Sequence, residues 1–177
     1  MHGLMRVKMN VALALLTVGV SAAAGPSGAI FTTDENSNFV NANVYEHPED
    51  VYLNGGPRAN APCTAAGLPD DDYYFQVTDP SGQDVLSSGP VTERQVRVAG
   101  GVITENLGTH HTGLGKCPKS ITVQLCPFIP TTNEGDEYKV WMTSVSAYQA
   151  KGGFSRNASK TDNFKVTGTD LCPGDGD

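Results

Sequence analysis

Apolar and polar residues alternate with a period of two in short runs beyond residue 38, and turn formers interrupt each run after a few residues. An extended chain points successive side chains to opposite faces, so such runs make strands with one face to bury. In residues 72–78 (DYYFQVT), Tyr73, Phe75 and Val77 oppose Tyr74, Gln76 and Thr78. Asp79-Pro80-Ser81-Gly82 follows with the residue preferences of a type I turn, which predicts a hairpin back through Asp84-Val85-Leu86. Residues 94–98 (RQVRV) alternate again, and Ala99-Gly100-Gly101 turns them into Val102-Ile103-Thr104. Residues 121–126 (ITVQLC) align Ile121, Val123 and Leu125; residues 137–145 (EYKVWMTSV) set Tyr138, Val140 and Met142 opposite Lys139, Trp141 and Thr143. Shorter extended stretches are expected at 38–43, 51–53 and 163–167, with a long loop over 106–119. About seven to nine short strands with turn signals roughly every dozen residues are the signature of an all-β sandwich. Past the N-terminal segment, no run is long and periodic enough to predict a helix.

That N-terminal segment reads as an export signal. Arg6 and Lys8 make a basic start, residues 9–20 (MNVALALLTVGV) an apolar run, and Ser21-Ala22-Ala23-Ala24 a small-residue cleavage site. The run is shorter than the roughly 20 apolar residues of a membrane-spanning helix, and no second apolar segment follows. Cleavage is expected after Ala24, so residues 1–24 are a signal peptide and no membrane insertion is expected afterwards. Residues 25–38 then read as a linker, 39–168 as the sandwich domain and 169–177 as a tail.

The chain carries a net charge of −7, and removing Arg6 and Lys8 makes the remainder more acidic still. That sign repels phosphate backbones and anionic membrane surfaces, and no Lys/Arg cluster interrupts it, so nucleic acid is not an expected partner. All four cysteines, Cys63, Cys117, Cys126 and Cys172, lie beyond the signal, and thiols in an oxidising compartment pair. Two disulfides are expected. Four cysteines allow three connectivities, which the sequence leaves open. It leans to Cys63 with Cys117, each in a Pro/Gly-rich loop ahead of a strand-like run, and to Cys126 with Cys172, which would hold the tail. No C-x-x-C pair argues for zinc.

The stretches LPDDDYYFQVTDPSG, VRVAGGVIT, SITVQLCPF, TTNEGDEYKVWMTSV and SKTDNFKV resemble a family of uncharacterised secreted bacterial proteins. In many of its members the domain precedes modules similar to the SdrD B-like and collagen-binding B-type repeats of surface proteins. The resemblance covers most of residues 44–166. It implies a prealbumin-like or immunoglobulin-like β-sandwich at the cell surface or outside the cell, with a structural or adhesive role and no known catalytic site. Some collagen-binding B-type relatives carry an internal isopeptide bond, for which Lys139 or Lys165 with Asn163 are the residues to inspect.

Several residues invite sharper chemistry. Asp70, Asp72 and Asp79, with Asp71 between the first two, and separately Asp170, Asp175 and Asp177, could offer oxygens to calcium, the one cofactor considered. The D-x-D-x-D-G spacing of a calcium loop is missing, so these read first as solvated turn formers. His110 and His111 read as exposed loop histidines, because no further ligands or orienting acid can be named. A hydrolase would need one of them in a cleft beside a Ser or Asp, and no G-x-S-x-G is present. Tyr73, Tyr74, Trp141, Tyr148 and Phe154 could form a sugar-binding platform, although core packing is the first expectation for most of them. The expected function is therefore a secreted, non-enzymatic scaffold or adhesive module. The rivals are a carbohydrate- or calcium-binding module and, behind it, a hydrolase; an extracellular protein or glycan is the natural partner class.

Overall fold

The computed structural model describes residues 27–173. The expected signal peptide, Asp175 and Asp177 lie outside the described residues. The strands in chain order are β1 (Ala29–Thr33), β2 (Val44–Tyr45), β3 (Tyr52–Gly56), β4 (Asp71–Thr78) and β5 (Gln95–Ala99). They are followed by β6 (Val102–Asn106), β7 (Thr112–Leu114), β8 (Ile121–Gln124), β9 (Glu137–Ser144) and β10 (Ser159–Val166). One helix, α1 (Val145–Lys151), joins β9 to the last strand. A four-stranded sheet of order β1-β3-β8-β7 packs on a six-stranded sheet of order β2-β10-β9-β4-β5-β6. Every pairing is antiparallel except β2 with β10. The chain is an all-β sandwich.

The alternation sets the core. Tyr73, Phe75 and Val77 of β4 and Tyr138, Val140 and Met142 of β9 face inward, with Phe164 and Val166 of β10 beside them. From the other sheet Leu53, Val123 and Leu125 meet them, all fully buried. The register pairs Phe75 with Met142 and Val77 with Val140, so the apolar sets of neighbouring strands coincide. Tyr138 and Phe164 stack at 5.2 Å, and Phe128 meets both edge-on.

The outer face of this sheet is covered too. Trp141 and Thr143 are buried opposite the core. The loop after β4 returns with bonds from Leu86 N–H to Val77 O and a bridge between Thr78 and Val85, a looser return than the hairpin expected. It lays Gly82 on the Trp141 ring, where a Cβ would stand 2.5 Å from Cζ2. The indole N–H donates to Thr78 Oγ1 at 2.9 Å.

Four local expectations are corrected. Helix α1 exists where none was predicted; its seven residues are two turns, too short to show a period. Its signals are caps: Ser144 Oγ accepts from Ala147 N–H at 3.3 Å, and Gly152 ends it in the left-handed region at φ 70°. Residues 38–43 are not extended, because Asn41 (φ 58°) and Asn43 (φ 62°) turn the chain, as asparagine tolerates. The stretch read as a linker contains β1, and the long loop contains β7; five and three residues are too few for alternation to register.

Cys63 pairs with Cys117 and Cys126 with Cys172. The first bridge joins the loop after β3 to the one before β8. The second ties the end of β8 to the segment following β10, so that Cys172 is buried. With partners separated by 54 and 46 positions, each constrains the unfolded chain by about 4 kcal/mol in the chain-entropy treatment.

Two outcomes follow. Phe75 is fully buried, so Phe75→Ala costs about 3–5 kcal/mol in denaturant melts, whereas Gln76→Ala on the outer face costs about 0.5 kcal/mol; equal costs would contradict this register. Cys63 is exposed while Cys126 and Cys172 are both buried, so limited reduction followed by alkylation and mass mapping should label Cys63 and Cys117 first.

Candidate functional site

The aspartates considered for calcium take separate partners. Asp70 Oδ1 accepts from Gly101 N–H at 2.9 Å. Asp72 pairs with Arg97 at 2.8 Å, and Arg97 also reaches Glu105. Asp79 accepts from the N–H groups of Ser81, Gln83 and Asp84. Together with the Ser81 hydroxyl, these hold its carboxyl well below the usual range. Asp72 and Asp79 stand at opposite ends of β4, roughly 23 Å apart at strand rise, too far to share an ion. Among the described residues no group of three or more His, Cys, Asp or Glu converges on a metal position. Asp170 instead receives His47 Nδ1 at 2.7 Å, a partner that raises the imidazole pKa.

His110 and His111 part company. His111 is exposed as expected, but His110 is buried, a correction. Its ring meets Phe75 edge-on at 5.0 Å, and Nδ1 has no hydrogen-bond partner. Nearby, the buried Arg94 guanidinium donates to the carbonyls of Phe75, Ser88 and Gly89 rather than to an acid. Burial first, and the Arg94 charge behind it, push the His110 pKa below its ordinary value. The cleft beside these histidines is lined by Thr109, Gln124, Cys126, Pro127 and Pro173, with no Ser or Asp among them.

The expected aromatic platform is not flat. Tyr73 and Trp141 are buried, while Tyr74, Tyr148 and Phe154 meet edge-to-face at 77° and 79°. Lys139 and Asn163 do sit opposite each other in the β9–β10 register. However, Asn163 is exposed, and Lys139 Nζ donates to Pro80 O above the Trp141 ring. The pair lies on the outer face, away from the apolar core an isopeptide bond requires.

A separate concavity lies where the turn after β1 meets edge strand β2 and the start of β3. It encloses about 480 Å³ and is lined by Asp34, Glu35 and Asp50 with Phe39, Tyr45 and Tyr52. Its wall is the turn between β1 and β2. Asp34 builds that turn, its carboxylate accepting from Phe39 N–H at 3.0 Å and the Asn38 amide at 2.9 Å. Partial burial works to raise the Asp34 pKa, but these bonds outweigh it and hold the group ionised below its usual value. Ser37 Oγ donates to Leu114 O, and Thr122 Oγ1 to Glu35 O, which fixes the turn to β7 and β8. On the far side Gln124 Nε2 donates to Glu49 O at 2.8 Å and holds the 3-10 turn Pro48–Asp50.

Tyr45 is the inner wall. It is 7% exposed, its ring meets core Phe164 edge-on, and its hydroxyl has no hydrogen-bond partner. Burial raises its pKa to about 12, with the charges of Asp162 and Asp34 adding to the effect. Asn43 Oδ1, beside it in the chain, is likewise buried and unpartnered. Tyr52 feels Glu35 and Asp50 in the same way, after its own burial. None of the ion pairs among the described residues involves Asp34, Glu35 or Asp50. At the rim Phe39 and Val44 are exposed.

The sequence reading missed this groove. In the sequence residues 25–38 read as linker and 38–43 and 51–53 as extended chain, and the one signal of the groove is the interleaving of acids and aromatics between Asp34 and Tyr52.

No family model, curated protein or solved structure that was compared matches the chain.

The buried imidazole sets a pH dependence. His110 titrates at a lower pH folded than unfolded, where its ordinary value is 6.5. The unfolded chain therefore binds the extra proton first, and the His110 contribution is complete above about pH 7 and lost as pH falls through 6.5 and below. His47, whose pKa Asp170 raises, contributes the opposite sign over the same window, so the test is a difference: from pH 7.5 to 5 the melting temperature of the parent should fall relative to that of His110→Phe, and an unchanged difference would contradict the buried neutral imidazole.

Proposed function

We propose that this chain is a secreted, non-enzymatic β-sandwich module with a structural or adhesive role, at the cell surface or free outside the cell. The pairing of all four cysteines across a two-sheet sandwich carries this reading. Such bridges persist in oxidising compartments and are rare in the cytosol. The basic, apolar and small-residue order of residues 1–24 supports export. Among the described residues no helix is long and apolar enough to cross a membrane. The resemblance of residues 68–82 and 131–145 to a family of uncharacterised secreted bacterial proteins supports an extracellular setting.

The acidic, aromatic groove favours ligand binding over a purely mechanical role. Concave sites of 300–1,000 Å³ with apolar walls and a few polar groups are where proteins hold ligands. A binding screen of the exported protein against glycans, matrix proteins and Ca²⁺, read by melting temperature, tests the reading. A ligand at 100 times its Kd adds about 2.7 kcal/mol to stability, a rise of roughly 5 °C or more for a domain of this size. Turnover of ester, peptide or glycoside substrates that disappears in His111→Ala would overturn the non-enzymatic assignment. An intact mass of exported protein retaining Met1 would overturn the signal-peptide assignment.

A further inference from the structure

We propose that the groove between β1, β2 and β3 binds the guanidinium or ammonium side chains of a basic segment presented by an extracellular protein. The inference rests on the reading of the chain as an extracellular binding module and names what that module holds.

Three features select a cation. Glu35 and Asp50, on opposite sides of the groove, present carboxylates that make no hydrogen bond or ion pair among the described residues, and Asp34 adds a third charge on the Glu35 side. Phe39, Tyr45 and Tyr52 supply aromatic faces, which attract ammonium and guanidinium groups through the ring quadrupole. The Tyr45 hydroxyl, nine-tenths buried in the inner wall, makes no hydrogen bond and can accept. Lysine and arginine side chains only donate, so they complement a lining of acceptors.

A bare metal ion fits less well, because no three ligands converge. The rim argues for a polypeptide over a free amine. Phe39 is 69% exposed and Val44 58%, and both border the carboxylates. A long basic side chain lays its methylene stem on such apolar surface while its charged head reaches the acids, and the residues flanking it cover the rest.

The test uses the disulfide-bonded exported protein and a fluorescein-labelled peptide of alternating arginine and glycine, followed by anisotropy. Glu35→Gln/Asp50→Asn together should weaken binding tenfold or more, and Phe39→Ser several-fold. Glu134→Gln, an exposed acid in the turn before β9 that does not line the groove, should leave affinity within twofold. All of these positions are exposed, so each variant should melt within a few degrees of the parent, which separates lost binding from lost fold. Affinity unchanged in the groove variants, or Glu134→Gln weakening binding as much as they do, would overturn the proposal. Spermidine displacing the peptide at equal charge concentration would assign the groove to free amines and overturn the choice of a polypeptide. A neutral oligosaccharide that raises the melting temperature of the parent but not of Phe39→Ser, with no peptide binding, would overturn the cation while leaving the binding-module reading standing.

Discussion

The side-by-side packing of β4, β9 and β10 is the constraint on which the rest of the molecule depends. Together they place Phe75, Val77, Tyr138, Val140, Met142 and Phe164 against the smaller sheet. Each such side chain contributes about 1.5–3 kcal/mol by leaving water. A slip of one residue between β4 and β9 would send the whole inner set to the opposite face, so the pairing of Phe75 with Met142 is enforced by burial rather than by any single hydrogen bond. Because β9 is central and buried on both sides, its register also fixes Trp141 under Gly82 and β10 against β2.

Strand β10 carries this order to the edge of the sandwich. Asp162 projects from it to accept from Thr32 N–H at 2.9 Å, so a carboxylate of the larger sheet caps an edge strand of the smaller one. Burial raises the Asp162 pKa, and the Thr32 backbone bond opposes the shift without cancelling it. The same tether holds β1 against β10, the strand on which β2 pairs, and so places the turn after β1 near the groove's Tyr45. At Thr32, an edge N–H that would otherwise invite another strand is satisfied internally.

What the sequence made legible was the part of the fold written locally. Runs such as residues 72–78 and 137–145 carry their own face assignment, and the cysteine lean toward Cys63–Cys117 and Cys126–Cys172 matches the bridges formed. What escaped was written by tertiary partners. Trp141 and Thr143 are polar-side positions by alternation, yet they are buried because a loop and α1 cover them. His110 follows Gly and Thr in a loop composition, yet packs on Phe75 beside a guanidinium that no local pattern announces. The groove escaped for a similar reason: Phe39 and Tyr52 are thirteen positions apart, and only the left-handed turns at Asn41 and Asn43 fold the intervening chain into one wall.

The groove divides its acids between two tasks. Asp34 spends its carboxylate on the turn, accepting from Phe39 N–H and Asn38. Glu35 and Glu49 are anchored through their backbone carbonyls by Thr122 and Gln124. The anchors therefore hold the walls without using the carboxylates of Glu35 and Asp50. Like charges gathered on one surface repel, a modest cost that water and salt screen. Side-chain neutralisation would have removed that cost, and the exposed Phe39 and Val44 could equally have been polar without touching the core. The walls are instead fixed before any ligand arrives, which lowers the ordering cost that association must overcome. Anchored walls, carboxylates without ion-pair partners and an exposed apolar rim are separately of little consequence, but combined in one concavity they are what the proposed capture of a basic segment requires.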